Sequence, residues 1–323
     1  MTAKLVSALL LLSACSVSSA QQAFPSRTVT LVVPFSAGTG IDILARAVGP
    51  KLSERWKQPV VVDNKPGASG NIGTDFVAKA GPDGHTLLVT VNTYTMTPAL
   101  FKGMPYDPVT DLAPVSKIAV ATYAFAINPA AFPEASSLKD AVAAIRANPG
   151  KYFFASPGNG TPHHVGMELI KLRLGLDATH VPYRGLAGAF TDLIGGQVQM
   201  MFALVHSSLP HVRSGRIRIL AVTGVQRTPQ LPEAPTFREQ GIDFMDEVDA
   251  WYAVMAPGRA SRELVARLNA DINAVLQLPD VRENLIKQGL IPSTSTPQEL
   301  AALIRSDLAR WSKVIQDAGI TLD

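Results

Sequence analysis

Hydrophobic residues change their spacing along the chain, from short runs typical of strands to the three- and four-residue spacing typical of helices. Residues 28–35 form a β-branched and aromatic run that predicts a buried first strand. From Ile41 to Trp56 the apolar positions fall on one helical face. Further strands are predicted at 60–63 and 85–91. Strands alternating with helices favour a mostly parallel sheet covered on both faces.

A second set of strands and helices follows in the next part of the chain. It begins with a long extended segment predicted at 118–127. The last two predicted helices, at 262–277 and 297–318, bring no sheet of their own. We therefore expect the chain to return to its first unit, so that it crosses between two lobes near 119–125 and 244–250.

The length of the chain supports two lobes, because 323 residues exceed the usual size of one compact domain. We assign 24–120 and 248–323 to lobe 1 and 121–247 to lobe 2. Hydrophobic residues make up 47% of the chain and charged residues 17%, which allows a large core. The net charge of +3 comes from scattered basic residues, and this pattern does not favour binding to nucleic acid.

Residues 1–20 have the pattern of a secretory signal, with one lysine, an apolar stretch and then small residues. Two processing sites are compatible with it: cleavage after Ala20, or lipoprotein processing at Cys15 within the stretch LSAC. Both predict a periplasmic protein, free or lipid-anchored. Cys15 is the only cysteine, so no intramolecular disulfide can form.

Three loops share one arrangement, in which a predicted strand ends in small residues and a helix begins: 35–40, 67–71 and 156–161. Small residues let main-chain N–H groups approach a ligand, and helix N-termini carry unpaired donors with a partial positive charge. Tyr183 and Arg184, after another predicted strand, add a hydroxyl and a cation or form a solvated loop edge. In open α/β sheets, ligands bind outside the carboxyl ends of the strands. An anion is the expected guest, although each loop alone is equally typical of a tight turn.

Other kinds of site lack their motifs. Ile43 stands where a dinucleotide fingerprint needs its third glycine, and no Gly-Lys-Ser/Thr follows any of the loops. No Gly-x-Ser-x-Gly motif is present, and the histidines, including the adjacent His163 and His164, match no metal-ligand spacing. We expect no metal, no cofactor and no catalysis. A secreted enzyme with Asp42 or His164 as acid or base remains the minor alternative.

Asp42 has two interpretations. It lies three residues after Thr39, which fits a capping box at the start of a helix. A contact with the ligand, or with a water that the ligand orders, is the alternative. Thr161 and His164 have the same spacing at a later helix.

At these loops the sequence resembles the extracytoplasmic solute receptors of tripartite tricarboxylate transporters, the Bug-type family. The matching stretches, in the order of the family, are VTLVVPFSAGTGIDILAR, VVVDNKPGASGNIGTDFVAKAGPDGHTLL, YDPVTDLAPVS, FASPGNGTPHHVGMEL, VPYRGLAGAFTDLIGGQVQMMF, GRIRILAVTG, PEAPTFREQG and WYAVMAPG. Together they extend over nearly all of the chain that follows the signal.

The resemblance implies a type II periplasmic-binding-protein fold, with two α/β lobes that close over a small mono-, di- or tricarboxylate. It also implies that main-chain amides, small hydroxyls and ordered water hold the anion. Carried over by position, the ligand-binding residues are Phe35, Ser36, Gly38, Thr39, Asp42, Ala68, Ser69, Asn71, Ser156, Asn159, Thr161, His164, Tyr183 and Arg184.

The function implied is that of a periplasmic receptor, expected to be monomeric, which passes an organic carboxylate to the permease subunits of a tripartite transporter. Docking on a periplasmic sensor domain is an alternative that the sequence leaves open. The chain departs from the family's usual pattern at Thr39, which replaces a glycine, and at Gln199 and Ala203, which replace acidic residues. Loss of carboxylates near the cleft would favour a ligand without an amino group.

Overall fold

The structure, a computed structural model, describes residues 24–322. The predicted signal sequence and Cys15 lie outside this range. The strands, in chain order, are β1 (Val29–Val33), β2 (Val60–Asn64), β3 (Thr86–Val91), β4 (Leu112–Ala121), β5 (Tyr123–Ile127), β6 (Tyr152–Ser156), β7 (Ala178–Pro182), β8 (Met200–Leu204), β9 (Arg218–Val222), β10 (Ala250–Pro257) and β11 (Ile291–Pro292).

Helices lie between most of these strands. In chain order they are α1 (Gly40–Trp56), α2 (Asn71–Ala78), α3 (Thr93–Leu100), α4 (Leu138–Ala147), α5 (Pro162–Leu174), α6 (Leu186–Ile194), α7 (Val205–Arg213), α8 (Arg262–Leu276), α9 (Pro279–Lys287) and α10 (Pro297–Asp317). None of the helices within 24–322 is long and apolar enough to cross a membrane.

Two separate sheets organise the fold. The first has the strand order β11-β4-β10-β3-β1-β2, and the second has the order β7-β6-β8-β5-β9. In the first sheet β1 pairs in parallel with β2 and β3, whereas β10 runs antiparallel to β3 and β4. In the second, β6 pairs in parallel with β7 and β8, whereas β5 runs antiparallel to β8 and β9.

The prediction of mostly parallel sheets is therefore wrong, since both sheets are mixed. The physical reason is the exchange of the chain between them. A strand that crosses over from the other sheet begins at the edge where its new neighbours end. It is therefore antiparallel to them. The two strands that arrive in this way are β5 and β10.

The first crossing is short. Strand β4 ends at Ala121 in the first sheet, and β5 begins at Tyr123 in the second. The extended segment predicted at 118–127 is therefore two strands of different sheets. The return crossing joins the end of β9 to the start of β10. The predicted fold class, two α/β lobes of the periplasmic-binding-protein type, is confirmed.

The crossings identify one edge of each sheet. In the first sheet β1, β2, β3 and β4 end, and β10 begins, at the same edge. In the second sheet β6, β7, β8 and β9 end, and β5 begins, at the same edge. We call these the inner edges, because the chain passes between the sheets there, and we call the opposite ones the outer edges.

Both faces of the first sheet are covered, as the alternation in β1 requires. Leu31 and Val33 pack with residues of α1 and α8, whereas Val32 packs on the other face with residues of α2 and α10. Successive side chains of a strand point to opposite faces. Helices α8 and α10 thus return to the first sheet, as the sequence predicts.

Hydrogen bonds tie the two crossings together. The Tyr123 main-chain N–H donates to the Thr223 hydroxyl over 2.9 Å. The Thr223 hydroxyl in turn donates to the carboxylate of Asp249. Burial raises the pKa of Asp249 to about 6, and the Thr223 hydrogen bond and the charge of Lys117 offset this only in part.

Replacing Asp249 with Asn should stabilise the protein at neutral pH and not in acid. The folded-state pKa of about 6 lies above the ordinary value of 3.8, so the charged carboxylate opposes folding. This cost is absent below about pH 4, grows through pH 4 to 6 and is complete above that range. Asn removes the charge and can still accept the Thr223 hydrogen bond. We expect urea unfolding at pH 7.5 to give a gain on the order of 2 kcal/mol over the unchanged protein.

The same variant should show no gain at pH 4. Asp83→Asn is the matched control, because hydrogen bonds and the neighbouring His85 and Arg27 lower the pKa of Asp83 although burial opposes them. That control should bring no stabilisation at either pH. An equal gain for Asp249→Asn at both pH values would contradict the burial argument.

Candidate functional site

The first two predicted loops lie side by side at the inner edge of the first sheet. The Asn64 side-chain amide donates to the Phe35 carbonyl over 3.0 Å. A Cβ on Gly70 would lie 3.3 Å from the Phe35 ring, so the absence of a side chain lets the loops touch. The exposed residues of loops 35–40 and 67–71 are Ser36, Ala37, Gly38, Thr39, Gly67, Ala68 and Ser69.

Hydrogen bonds to the buried Asp42 carboxylate hold the first loop in place. Its carboxylate accepts hydrogen bonds from the Gly38 N–H at 2.9 Å, from Asn64 at 2.9 Å and from Arg46 at 3.0 Å. The Thr39 hydroxyl donates to a carbonyl of its own loop and does not cap α1. The predicted capping box is therefore wrong. Gly38, with φ +83°, donates its N–H to the Asp42 carboxylate. In a capping box that carboxylate would accept from the N–H of Thr39 instead.

The charge of Asp42 is neutralised locally. Burial by itself would raise the pKa of Asp42, but hydrogen bonds from Arg46, Gly38 and Asn64 outweigh it and hold the pKa below the ordinary value. Asp42 is 2% exposed, and both of its carboxylate oxygens accept hydrogen bonds. The paired charges of Asp42 and Arg46 leave the main-chain amides as the loop's attraction for an anion.

Asn71, at the start of α2, is buried and accepts a hydrogen bond from the Tyr106 hydroxyl at 2.9 Å. Its side chain therefore anchors the second loop against the segment that precedes β4. The Asn71 main-chain N–H donates to the Ala68 carbonyl and closes the turn before α2, whereas Ala68 and Ser69 are exposed.

The third loop is built around Ser156 at the inner edge of the second sheet. The Ser156 hydroxyl, which is fully buried, accepts from the Gly158 N–H at 3.1 Å and lies 2.7 Å from His180 Nε2. The Ser156 hydroxyl therefore stabilises the conformation of the loop and is not exposed to a ligand. Asn159 is exposed, and Thr161 begins the following helix.

Tyr183 and Arg184 adjoin the third loop. The Tyr183 N–H donates to the Ser156 carbonyl over 2.9 Å. The Tyr183 hydroxyl donates to Asp192 over 2.6 Å, and burial together with this carboxylate raises the pKa of Tyr183 to about 12. The Tyr183 hydroxyl is thus hydrogen-bonded to a residue of α6, whereas the Arg184 side chain is exposed.

The start of α5 carries a reciprocal pair of hydrogen bonds. The Thr161 hydroxyl accepts from the His164 N–H at 3.4 Å, and His164 Nδ1 accepts from the Gly160 N–H at 3.1 Å. The His164 ring stacks on His180 with 3.7 Å between centroids. Burial lowers the pKa to about 4 for His164 and about 3 for His180. Both imidazoles are neutral at physiological pH.

The candidate residues thus form two groups, one at each inner edge. Between them, the third loop touches the first lobe: a Cβ on Gly160 would lie 2.8 Å from Leu100 at the end of α3 and 3.1 Å from Leu322. Gln199 lies apart, because it precedes β8 at the outer edge and its side chain accepts from the Phe153 N–H at 2.8 Å. The expectation that Gln199 lies near the cleft is therefore wrong. Ala203, on β8, is buried among apolar residues.

Helix starts differ between the two kinds of edge. Helices that follow a strand at an outer edge each receive a side-chain cap: Ser137 at α4, Ser261 at α8 and Thr296 at α10. Of the helices that follow a strand at an inner edge, α1, α2, α3, α6 and α7 receive none, and α5 alone is capped. Without a side-chain cap, the first N–H groups of a helix need other partners. The Asn71 N–H of α2 donates to the Ala68 carbonyl, and the Val205 N–H of α7 donates to the Thr122 carbonyl. The first turns of α1, α3 and α6 have no side-chain cap and are suited to an anion.

Several polar residues at the inner edges escaped the sequence analysis. They are Asn92, Tyr123, Tyr252 and His206, next to the ends or starts of β3, β5, β10 and β8. The sequence shows that each of these residues lies directly beside a strand boundary. It does not show that β5 and β10 run antiparallel to their neighbours, and only this direction places all four residues at the inner edges. Among the described residues no group of histidines, cysteines and carboxylates is arranged to hold a metal ion.

Two mixed sheets joined by two crossings, with free helix N-termini at the facing edges, define a bilobed solute-binding protein. The chain belongs to the tripartite tricarboxylate transporter family receptors, whose family model matches residues 44–320. It is a receptor of the Bug type and not an enzyme.

Relatives support the assignment over almost the whole length. Protein BugT of Bordetella pertussis is 34% identical over 302 residues, which cover 93% of this chain and 91% of BugT. The structure of Rhodopseudomonas palustris Rpa4515 with adipate is 34% identical, with a TM-score of 0.78, and covers 93% of this chain and 100% of that one. MatC from the same species, with bound malate, is 31% identical with a TM-score of 0.75, and covers 90% and 100%.

Replacing Asp42 with Ala should destabilise the protein by about 2–3 kcal/mol, because three donors lose a buried acceptor. Urea unfolding at pH 7 measures this. Since the folded-state pKa of Asp42 lies below 3.8, its contribution is present above about pH 4 and is lost as the pH falls further.

Asp317→Ala serves as the comparison, because Asp317 pairs with Lys313 on an exposed turn of α10. A surface pair of this kind contributes less than about 1 kcal/mol. Equal small losses for the two variants would show that the Asp42 network is not what holds the first loop.

Proposed function

We propose that this protein is a periplasmic receptor that captures a small organic carboxylate between its lobes for uptake by a tripartite tricarboxylate transporter. It performs no chemistry on the ligand. The main support is the difference in helix capping: side chains cap α4, α8 and α10 at the outer edges, whereas α5 alone is capped among the described helices that follow a strand at an inner edge. The related receptors with adipate and with malate support a carboxylate as the guest.

We assign residues 24–120 and 248–323 to lobe 1 and residues 121–247 to lobe 2. The lobes close over the ligand by bending at the two crossings, a familiar hinge transition. The bonded chain from Tyr123 through Thr223 to Asp249 holds the crossings together while the lobes move. Closure brings the two groups of loops to the same anion.

The residues of the site divide by role. In lobe 1 the ligand meets Phe35, Ser36, Gly38 and Thr39 of the first loop and Ala68, Ser69 and Asn71 of the second. The N–H groups of Gly38, Thr39 and Asn71 are bonded within the loops, so these three residues shape the surface that the ligand meets. In lobe 2, Asn159, Thr161 and Arg184 offer accessible polar groups. The buried side chains position the loops without touching the anion: Asp42, Ser156, His164 and Tyr183.

We further propose export by the signal at 1–20, with the mature protein free or anchored through Cys15, and delivery of the ligand by a monomer to membrane permease subunits.

A panel of carboxylates tests the receptor directly. Protein that has been unfolded, dialysed and refolded should be titrated calorimetrically with mono-, di- and tricarboxylates, adipate and malate included. At least one should bind and raise the melting temperature, because a ligand at 100 times its Kd adds about 2.7 kcal/mol. The corresponding amides, which lack the negative charge, are the controls. No response to any acid, or equal responses to acids and amides, would contradict the proposal.

Replacing Gly40 with Pro should weaken binding without unfolding α1. Proline lacks the N–H at the first helical position, where the helix itself has no partner for that group. Thr39, with φ −75° and ψ 159°, already has the extended conformation that proline requires of the residue before it. We expect the Kd of the best acid to rise by about tenfold or more in calorimetry.

Gly40→Ala is the matched variant, because it adds the same Cβ, 3.4 Å from the Tyr252 hydroxyl, and keeps the N–H. It should bind within about threefold of the unchanged protein. If the two variants bind equally well, the first-turn amide of α1 does not contact the ligand.

A further inference from the structure

Between the two groups of loops lies a set of buried polar side chains that the proposed amide contacts do not use. We call Asn92, Tyr123, His163 and His206 the cleft floor. Asn92 follows β3 in the first sheet, and Tyr123 begins β5 just after the crossing. His163 belongs to the first turn of α5, and His206 follows β8. All four therefore lie at the inner edges.

The members of the cleft floor are neighbours. The Tyr123 and His163 rings meet edge to face with 5.4 Å between centroids. The Asn92 side chain is close enough to Tyr123 to lower a pKa that burial raises far above the ordinary value. His206 is close enough to His163 to lower its pKa, and the loop at Gly289 of lobe 1 packs against His206. Both lobes thus contribute to the cleft floor.

These side chains have hydrogen-bonding atoms without partners. Among the described residues, both ring nitrogens of His163, Nδ1 of His206 and Oδ1 of Asn92 are buried and unpaired. Asn92 is 2% exposed and His163 is 8% exposed. Buried polar atoms are rarely left without a partner in a stable fold, because each costs free energy. A bound group that supplies the missing hydrogen bonds is the simplest complement.

The unpaired atoms also determine which kind of group fits. Burial lowers the pKa of His163 to about 4, so the ring is neutral and one of its nitrogens must accept a hydrogen bond. Oδ1 of Asn92 can only accept. A carboxylate, which also only accepts, would leave these atoms unpaired. A hydroxyl both donates and accepts, whereas an ammonium only donates and brings a charge into a buried site. Asp249, the buried carboxylate close enough to raise the pKa of Tyr123, already accepts a hydrogen bond from Thr223.

We propose that the cleft floor is a hydroxyl subsite, and that the ligand is a hydroxycarboxylate whose carboxylate meets the loop amides while its hydroxyl reaches His163 and Asn92. This inference rests on the proposed receptor function. It makes His163 a specificity-determining residue that distinguishes a hydroxy acid from the same acid without the hydroxyl.

Matched pairs of acids test the subsite by calorimetry at pH 7.5 on refolded protein. The pairs are malate and succinate, lactate and propionate, 3-hydroxybutyrate and butyrate, and citrate and tricarballylate, with adipate as an acid that has no hydroxyl. In at least one pair the hydroxylated member should bind about tenfold more tightly, the size of one hydrogen bond in a buried site.

Variants then attribute the preference to the cleft floor. His163→Leu should reduce the ratio within that pair to about twofold or less, while the Kd of the unhydroxylated acid stays within about threefold. His163→Gln, which keeps a donor and an acceptor, should retain most of the preference. His211→Leu, at the far end of α7 against Phe190, is the control and should leave the ratio unchanged. Unchanged far-ultraviolet circular dichroism confirms that each variant is folded.

The outcomes separate the subsite from the receptor. If adipate or another unhydroxylated acid binds and no hydroxylated partner binds more tightly, the subsite is overturned and the receptor function stands. A preference that survives His163→Leu also overturns the subsite. If no acid binds, both proposals fail.

Discussion

The organisation of this protein depends on where main-chain N–H groups find partners. Any helix leaves its first few N–H groups unpaired, and a side chain, water or a ligand must satisfy them. Ser137, Ser261 and Thr296 do so at the outer edges, while most helices at the inner edges have no such side chain. Among the described helices that follow a strand, those without a side-chain cap therefore begin in the region that both lobes share. The crossing geometry that produces mixed sheets also makes those edges face each other.

A site of this kind attracts anions through main-chain partial charges, and the exposed Arg184 is the fixed positive charge that we place beside it. Arg46 is paired with Asp42, and the histidines around the third loop are neutral because burial lowers their pKa values. Free N–H groups attract a carboxylate through partial charges, which suits a receptor that must also release its ligand. The neutral cleft floor adds selectivity among acids, since its acceptors discriminate by hydrogen bonding and not by charge.

Much of the fold could be predicted from local sequence signals. The sequence predicts helices at 138–147, at 162 to about 174 and at 186–194, and α4, α5 and α6 occupy these ranges because Asn148-Pro149-Gly150, Pro162 and Gly185 mark their boundaries. Helices α3 and α7 were missed, since threonines and internal prolines at Pro98 and Pro210 obscure their helical spacing. The directions of β5 and β10 depend on the crossings between sheets, for which no local pattern exists. The cleft floor was missed for the same reason, because its residues come from four distant segments.

The central claim is that amides at both inner edges hold one anion together, and amide chemical shifts test it most directly. Uniformly 15N-labelled protein, titrated with malate and with adipate, should show its largest 1H and 15N shift changes in two regions at once. These are residues 36–41 and 68–71 in lobe 1, and residues 159–164 and 184–187 in lobe 2. Changes confined to one lobe, or centred on the outer edges near Ser137 and Ser261, would contradict the account.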